Sequence, residues 1–275
     1  MSQLKFSVLL SVYNKEKPVF LSLALNSVIN QSILPNQIII VKDGPLTQDL
    51  DFIINNFIES NSNVEIKIIQ LKENLGLGSA LNIGLKECDY DWVARMDSDD
   101  ICKFNRFELI LKEIINSKNI SVIGSYIDEF KGNISNVVQK RKVKLNHEDI
   151  KGDISNKNPM NHVSVFFNKK DVLSVGSYDD VLFFEDYHLW TKMMLNNMTF
   201  RNIPESTVFV RIGDDMIGRR HGFLYAKLEL NFQKYLFKKK LITKKIFLRN
   251  MLLRVCVRIL PKVILNQIYK ISRLV

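Results

Sequence analysis

The first hundred residues alternate short apolar runs with segments of helical periodicity. Four runs are rich in β-branched and other apolar residues, as buried parallel strands tend to be; they cover residues 6–13, 37–42, 64–71 and 91–96. The segments between them repeat apolar residues every three or four positions, which predicts helices over 18–31, over 48–58 behind a Thr47 cap, and over 76–86. This order predicts an α/β fold with right-handed crossovers and a doubly wound, mostly parallel sheet.

The second half of the chain carries weaker signals of the same kind. A helix is predicted over 104–117, because Phe107, Ile110 and Ile114 share one face. Short strands and charged loops follow, then a strand over 160–167 and a helix that opens at Glu185 and Asp186. No internal repeat or flexible linker separates the halves in the sequence, so we expect them to share one compact body.

Polar residues cluster where each of the four predicted strands ends. They are Tyr13, Asn14 and Glu16 after the first strand, Asp43 and Gly44 after the second, Asn74 and Gly76 after the third, and Asp97 and Asp99 after the fourth. Open α/β sheets bind ligands in the crevice beyond the carboxyl ends of their strands. We therefore expect these four places to converge on one site, although each alone could be an ordinary turn or helix start.

Three carboxylates lie within four residues at the end of the fourth strand. Asp97, Asp99 and Asp100 would repel one another unless a cation were held between them. Mg²⁺ or Mn²⁺ takes one or two protein carboxylates and completes its shell with water and substrate phosphates, so Asp97 and Asp99 are the candidate ligands. The alternative is a solvated turn in which Asp100 caps a helix that starts near Ile101.

Composition and cysteine usage limit the class of protein. With 275 residues, 46% of them apolar and 25% charged, the chain can bury one large core or two modest ones. Its three cysteines, Cys88, Cys102 and Cys256, are far apart and suggest neither a disulfide framework nor a zinc site. The amino-terminal residues lack the pattern of a signal peptide. We therefore expect a cytoplasmic protein.

The net charge of +10 is concentrated at the carboxyl end. Residues 231–275 contain 12 Lys and Arg and no acidic residue, which leaves 27 basic and 29 acidic residues in 1–230. Arg254, Arg258 and Lys262 follow one another at helical spacing and interrupt the apolar runs. This pattern predicts a helix that lies on an anionic membrane surface without crossing it, rather than a nucleic-acid-binding segment. The alternative is a helix packed on the protein's own core with a solvated basic face.

Five ordered motifs resemble those of the family 2 glycosyltransferases, which are inverting enzymes of the GT-A fold, and the resemblance covers roughly residues 5–222. It is closest to the members that build bacterial surface polysaccharides. The motifs are Ser11-Val12-Tyr13-Asn14, Val41-Lys42-Asp43-Gly44, Asn74-x-Gly76-x-x-x-Ala80-x-Asn82-x-Gly84, Met96-Asp97-Ser98-Asp99-Asp100 and Glu185-Asp186-Tyr187-x-Leu189-Trp190.

The resemblance implies a role for each motif. Asp186 would be the catalytic base, Asp99 would bind the metal at the diphosphate, and Asp97 would lie near the ribose and the metal. The residues that would contact the nucleotide sugar are Val12, Tyr13, Glu16, Asp43, Asn74, Gly76, Asp97, Arg219 and Arg220. The chain has Lys42 and Pro45 on either side of Asp43-Gly44, where the family often has a second acidic residue, so the base preference stays open. The contributions of His162 and His221 are open as well.

The resemblance also implies an organisation and an activity. Residues 1–110 would form the nucleotide-sugar-binding half, 111–225 the acceptor-binding half with the catalytic base, and 226–275 a basic helical tail. The enzyme would transfer a hexosyl or N-acetylhexosaminyl group from a nucleoside-diphosphate sugar, with UDP as the expected nucleotide. Its acceptor would be a hydroxyl of a glycan, with polyprenyl diphosphate as its carrier, in the synthesis of O-antigen, capsule or exopolysaccharide.

Two other classes share some of these features. A sugar nucleotidyltransferase would have the same sheet and metal carboxylates, but it usually has a glycine-rich phosphate loop after the first strand, and residues 7–20 contain no glycine. A non-catalytic protein that binds membranes or nucleic acid would explain the basic tail. It would leave the four polar strand ends without a function.

Overall fold

The computed structural model describes residues 4–117, 119–213 and 221–259. Its backbone contacts divide the chain into two units. The first contains the residues up to 152 together with 158–211, and the second contains 153–157 and the residues from 212 onwards. The two units are described separately below.

The described residues of the first unit form a nine-stranded mixed sheet. The strands pair in the order β3-β2-β1-β4-β8-β6-β9-β5, and β7 pairs with β6. Strands β1 to β4 are parallel neighbours, whereas β8 runs antiparallel to both β4 and β6. The strands are β1 (Phe6–Val12), β2 (Gln37–Lys42), β3 (Glu65–Gln70), β4 (Trp92–Met96), β5 (Ile101–Cys102), β6 (Val122–Phe130), β7 (Val137–Arg141), β8 (Phe166–Asn168) and β9 (Phe200–Arg211).

Seven helices connect these strands in the described part of the first unit. They are α1 (Pro18–Ile29), α2 (Gln48–Ser60), α3 (Leu77–Lys86), α4 (Arg106–Asn116), α5 (His147–Asp153), α6 (Lys169–Ser174) and α7 (Glu185–Leu195). Pro18 lies in the first turn of α1, and the Thr47 hydroxyl accepts the Leu50 N–H at the start of α2, as the sequence predicts.

Helices cover both faces of the parallel strands because successive side chains of a strand point to opposite faces. Val8, Leu10 and Val12 of β1 belong to a core cluster with residues of α1, α2 and α4. Leu9 points the other way, towards α3. A Cβ atom at Gly84 would lie 2.5 Å from Leu9 Cδ1, so this glycine lets α3 approach the sheet closely.

Helix α3 also ties the parallel strands to the loop before α7. The Asn82 amide donates to the Tyr178 carbonyl at 2.7 Å and accepts the Tyr178 N–H at 2.9 Å. Gly78 lies beneath the same loop, since a Cβ there would be 3.2 Å from the Asp179 carbonyl. These positions in the Asn74-to-Gly84 motif therefore serve the packing of two distant chain segments.

Three local predictions differ from the structure. The run 64–71 was predicted as a buried strand, but β3 is an edge strand whose residues are exposed or half-buried. The turn after Asp100 leads into the short strand β5 rather than a helix, because Ile101 and Cys102 pair with β9. Within 160–167, residues His162–Ser164 form a 3₁₀ turn and only the end joins β8.

The second unit is helical in its described part. It contains α8 (Phe223–Lys238), α9 (Lys244–Asn250), a π-helical turn (Met251–Val255) and a 3₁₀ turn (Cys256–Ile259). None of the helices in the described residues has the length and apolar character needed to cross a membrane. Lys262, the last position of the predicted basic stripe, lies outside the described residues.

The arginines of the predicted stripe contact their own unit. Glu229 of α8 is fully buried, and Arg254 Nε lies 2.9 Å from its Oε1 atom. Gln233 donates to the same carboxylate and accepts from Asn250, while the Arg258 guanidinium lies 4.9 Å from the centre of the Tyr225 ring. This agrees with the alternative of a helix packed on its own core, and leucines are exposed there as well as the basic residues Lys244, Lys245 and Arg249.

Candidate active site

Three carboxylates converge where β4 ends. One oxygen atom each of Asp97, Asp99 and Asp100 lies within 4.8 Å of the other two. Asp97 and Asp99 are half-buried, and Asp100 is buried. The short loop between β4 and β5 brings them together because both of its ends are held in the sheet.

The electrostatics of this cluster favour a bound cation. Burial, followed by the charges of Asp97 and Glu16, raises the pKa of Asp99 to about 7. Burial and the charges of Asp97 and Asp99 raise the pKa of Asp100 well above its ordinary value. A divalent ion would neutralise this repulsion, and carboxylate oxygens are the ligands that Mg²⁺ and Mn²⁺ prefer. The residues therefore fit such an ion, with Asp100 as a third oxygen source beside the two predicted ligands.

Arg95 is the buried countercharge of the site. Its Nη1 atom forms an ion pair with Asp97, and its side chain is only 2% exposed. Burial lowers the pKa of Arg95, but the Asp97 charge and hydrogen bond outweigh burial, so the pKa stays above its ordinary value. The fully buried Arg106 donates to the Arg95 carbonyl at 2.6 Å and to the Val163 carbonyl at 3.0 Å. The sequence analysis assigned no role to either arginine, although Arg95 is the only charged residue of the buried strand β4.

Arg211 holds the acidic loop from the other side. Its backbone N–H donates to Asp100 Oδ1 at 2.7 Å, and its Nε donates to the Asp99 carbonyl at 3.1 Å. The guanidinium lies 3.8 Å from the centre of the Phe20 ring and 4.6 Å from that of Phe130. Arg219 and Arg220, which the resemblance assigns to the nucleotide sugar, lie outside the described residues. His221, half-buried, belongs to the second unit.

The loops after β2 and β3 form one structure around Asp43. Its two carboxylate oxygens accept the backbone N–H groups of Leu75 at 2.7 Å and Gly76 at 3.1 Å, and the Asn74 amide donates to its carbonyl. Gly44 has a φ of +86°, and a Cβ there would lie 2.8 Å from the Asn74 nitrogen. The structure thus brings Asp43, Asn74 and Gly76 together, as predicted for strands that end at one edge.

The segment after β1 divides between buried and exposed groups. The Val12 side chain is fully buried and its carbonyl accepts the Asp43 N–H at 2.8 Å, so its side chain presents no surface to a ligand. Tyr13 is 43% exposed, which leaves a ring face available. Glu16 accepts a hydrogen bond from Ser98, and its charge contributes to the raised pKa of Asp99. Glu16 therefore belongs to the acidic cluster rather than to the Asp43 loop.

Asp186 lies in the first turn of α7, and both of its carboxylate oxygens are engaged. Oδ2 accepts the Asn158 amide at 2.6 Å, and Oδ1 accepts the Tyr187 N–H at 2.7 Å. Burial nevertheless raises the pKa of Asp186 above its ordinary value, against the opposing effects of these hydrogen bonds and of Arg95. The pKa of this carboxyl is therefore higher than that of an exposed aspartate, although both of its oxygens accept hydrogen bonds.

Glu185 and His162 complete the surroundings of Asp186. Burial raises the pKa of Glu185 to about 7, and its Oε2 atom is buried without a hydrogen-bond partner. The Nε2 atom of His162 lies 2.9 Å from the Tyr178 hydroxyl, and burial holds the pKa of His162 well below its ordinary value. His162 is thus a neutral partner of Tyr178. The Arg95 charge lowers the pKa of Asp99, Asp100, Glu185 and Asp186. The same arginine therefore acts on the carboxylate cluster at the end of β4 and on the carboxylate pair at the start of α7.

Comparison with known proteins places this geometry among known enzymes. Residues 7–176 match the family model described as Glycosyl transferase family 2. A UDP-Gal:alpha-D-GlcNAc-diphosphoundecaprenol beta-1,3-galactosyltransferase of Escherichia coli is 36% identical over 97% of this chain and 95% of that protein. The amylovoran biosynthesis glycosyltransferase AmsE of Erwinia amylovora is 35% identical over 98% of this chain and 99% of that protein. The resemblance based on the five motifs is confirmed.

Solved structures confirm the α/β fold class. TarS of S. aureus superposes with a TM-score of 0.65 at 18% identity over 93% of this chain, which spans 43% of the TarS chain. The mannosyltransferase PcManGT of Pyrobaculum calidifontis, in complex with GDP-Man and Mn²⁺, gives a TM-score of 0.64 at 12% identity over 90% of this chain and 69% of that chain.

Proposed function

We propose, since this chain belongs to glycosyl transferase family 2, that it transfers a sugar from a UDP-sugar to a hydroxyl of a polyprenyl-diphosphate-linked acceptor, with inversion of configuration. The observation that carries the proposal is that the buried Arg95 acts on two clusters of carboxylates, one at the end of β4 and one at the start of α7. One group, at the end of β4, suits a cation and a diphosphate. The other, at the start of α7, suits a proton transfer.

The donor is assigned to the crevice formed by residues 1–110. The exposed ring of Tyr13 offers a stacking surface for a nucleobase, and the Asp43 loop forms the wall beside it. Asp97 and Asp99 would hold Mn²⁺ or Mg²⁺, which would supply Lewis-acid stabilisation of the departing diphosphate. The assignment of Arg219 and Arg220 to the same diphosphate rests on the family resemblance.

The proton transfer is assigned to Asp186 in the acceptor half, residues 111–225. Its carboxylate would accept the proton of the acceptor hydroxyl as that oxygen attacks the anomeric carbon from the side opposite the leaving diphosphate. A raised pKa makes this carboxylate a stronger base than an exposed aspartate, provided that it is ionised. Because the attack is from the opposite side, the product has the inverted anomeric configuration.

The relatives guide the choice of acceptor. The name of the E. coli relative specifies a GlcNAc-diphosphoundecaprenol acceptor, and other relatives are named for amylovoran and O-antigen biosynthesis. We therefore place the reaction in the assembly of a lipid-linked bacterial surface polysaccharide, on the cytoplasmic side of the membrane where nucleotide sugars are available.

A transfer assay tests this function. The full-length protein is incubated with Mn²⁺, a synthetic GlcNAc-diphospholipid and each of UDP-galactose, UDP-glucose, UDP-GlcNAc and GDP-mannose. We expect one UDP-sugar to extend the acceptor by a single sugar, detected by mass spectrometry, with the inverted configuration in the proton NMR spectrum. A retained configuration, or no extension with any of the four donors, contradicts the proposal.

The second unit suits a peripheral contact with the membrane that carries such an acceptor. Leu248, Leu252, Leu253 and Ile259 are each more than half exposed. Lysines at 238, 239, 240, 244 and 245 are exposed in the same unit. Apolar groups beside lysines match an anionic bilayer, where each basic residue contributes about 1 kcal/mol.

Vesicle binding tests this contact. The triple variant Leu248→Ser, Leu252→Ser, Leu253→Ser removes apolar area from the exposed side while keeping every lysine. We expect its binding to phosphatidylglycerol vesicles in a flotation assay to fall by at least about tenfold, because each exposed leucine contributes roughly 1 kcal/mol on insertion. The exposed Leu34→Ser of the first unit is the control and should bind as the wild type does. Unchanged binding of the triple variant would exclude this face as the contact.

A further inference from the structure

We propose that Asn158 is a positioning residue that fixes the carboxylate of Asp186. This inference rests on the proposed role of Asp186 as the base. Asn158 lies 28 residues before Asp186, outside the five motifs, and its Nδ2 atom donates to Asp186 Oδ2 at 2.6 Å.

The orientation of the Asn158 amide follows from its second contact. Its Oδ1 atom accepts the backbone N–H of Met160 at 3.3 Å, so the opposite end of the amide, which carries the donors, points to Asp186. Pro159, between the two residues, restricts the backbone at this point. The donor is therefore held in place before any substrate binds.

The hydrogen bond also fixes the direction of the Asp186 carboxylate. Oδ1 is bound to the Tyr187 N–H of its own helix, and Oδ2 is bound to Asn158 from a separate segment. Two donors on two oxygens prevent rotation of the carboxylate, and each oxygen retains a lone pair for a substrate hydroxyl. Without Asn158, the group would be held from one side only.

Other charges near Asp186 act in both directions. Arg95 of β4 and Arg141 of β7 lower the pKa of Asp186, whereas the Asp186 charge raises the pKa of Glu185, its neighbour on α7. The Tyr178 hydroxyl faces the same region and is neutral, because burial raises its pKa. Asn158 is an uncharged donor, so its replacement by alanine leaves the net charge around Asp186 unchanged.

The test is the pH dependence of the transfer reaction in the full-length protein. A base must be deprotonated, so kcat/KM rises with pH through the pKa of the base. Asn158→Ala removes a hydrogen bond to the ionised carboxylate of Asp186. It should therefore move the acidic limb of the kcat/KM profile, the part that rises with pH, to higher pH by about one to two units. Asn158→Asp also adds a negative charge and should move it further. The KM for the donor should stay within about twofold of the wild type, since Asn158 faces the base and not the nucleotide.

A matched control separates positioning from a merely structural role. Asn161→Ala removes a buried amide from the same segment, one that donates to the Ser125 carbonyl at 2.8 Å. It should lower the melting temperature and leave the acidic limb where it is. If both Asn158 variants show the wild-type limb, or if Asn161→Ala moves it equally, the inference is wrong.

A readout without turnover separates this inference from the proposed function. The ¹³Cγ resonance of Asp186, identified by its loss in Asp186→Asn, reports the pKa of the carboxylate directly in aspartate-labelled protein. A higher pKa in Asn158→Ala supports the contact even if no donor is transferred, in which case the proposed function fails and the contact stands. An unchanged pKa in an active enzyme overturns the inference and leaves the function intact.

Discussion

Asp186→Asn is expected to lower kcat of sugar transfer by about a thousandfold, because general-base catalysis contributes roughly 10²- to 10⁴-fold. The amide has the size of the carboxylate and keeps one oxygen that can accept the Tyr187 N–H, so the start of α7 should persist, while the oxygen that accepts from Asn158 is lost. The affinity for UDP, measured by calorimetry with Mn²⁺, should stay within about twofold, since the diphosphate is assigned to the other acidic group.

The stability of this variant provides a second check. The pKa of Asp186 is higher in the folded protein than its ordinary value, so ionising this carboxylate is harder in the folded state than in the unfolded state. The wild type therefore loses stability as the pH rises through that interval, and the variant does not. We expect the melting temperature of Asp186→Asn at pH 8 to equal or exceed that of the wild type.

Asp171→Asn is the matched control for Asp186. Asp171 also lies in the first turn of a helix, α6, and has the same favourable relation to a helix dipole. It should transfer sugar at the wild-type rate. Near-normal transfer by Asp186→Asn, or an equal loss in Asp171→Asn, would remove Asp186 from the mechanism.

Asp99→Asn is expected to abolish the dependence of UDP binding on Mn²⁺. In the wild type, UDP and Mn²⁺ together should raise the melting temperature by several degrees, as ligands that bind only the folded state do. The variant should lose most of this shift and at least about 100-fold in transfer, because one carboxylate of the cation site becomes a neutral amide.

In the absence of a metal ion, Asp99→Asn should stabilise the protein. Asp97, Asp99 and Asp100 repel one another in the absence of a cation, so removal of one charge should raise the melting temperature in the presence of a chelator. Asp49→Asn, at an exposed position in the first turn of α2, is the control for the loss of a single negative charge. A wild-type response of Asp99→Asn to Mn²⁺ and UDP would show that the ion is bound elsewhere.

The sequence by itself determined the parallel half of the sheet and the location of the site. Apolar runs of six to eight residues and helical repeats are local patterns, and they placed β1, β2, β4 and the first three helices within a few residues of their ends. The convergence of Asp43, Asn74 and Gly76 also followed, because the carboxyl ends of parallel strands meet at one edge. The roles proposed for the site residues came from the resemblance of the five motifs to those of the family.

Only the tertiary structure decided which groups face one another and which are exposed. The run 64–71 is predicted as a buried strand like its neighbours, yet β3 lies at an edge because of the pairing order of the whole sheet. Asn158 contacts Asp186 across 28 positions of the sequence, and Arg95 is buried beside Asp97 only because other strands pack around β4; no local pattern encodes either feature.

The basic tail shows the same division between pattern and structure. Its helical character and charge are visible in the sequence, but Arg254 turns inward to a buried carboxylate on α8 while leucines remain outside. The direction of an amphipathic helix depends on what its partner surface offers, and here that surface contains Glu229. A pattern of spacing gives the faces of a helix, whereas the energy of burying each face against a particular neighbour selects the one that packs.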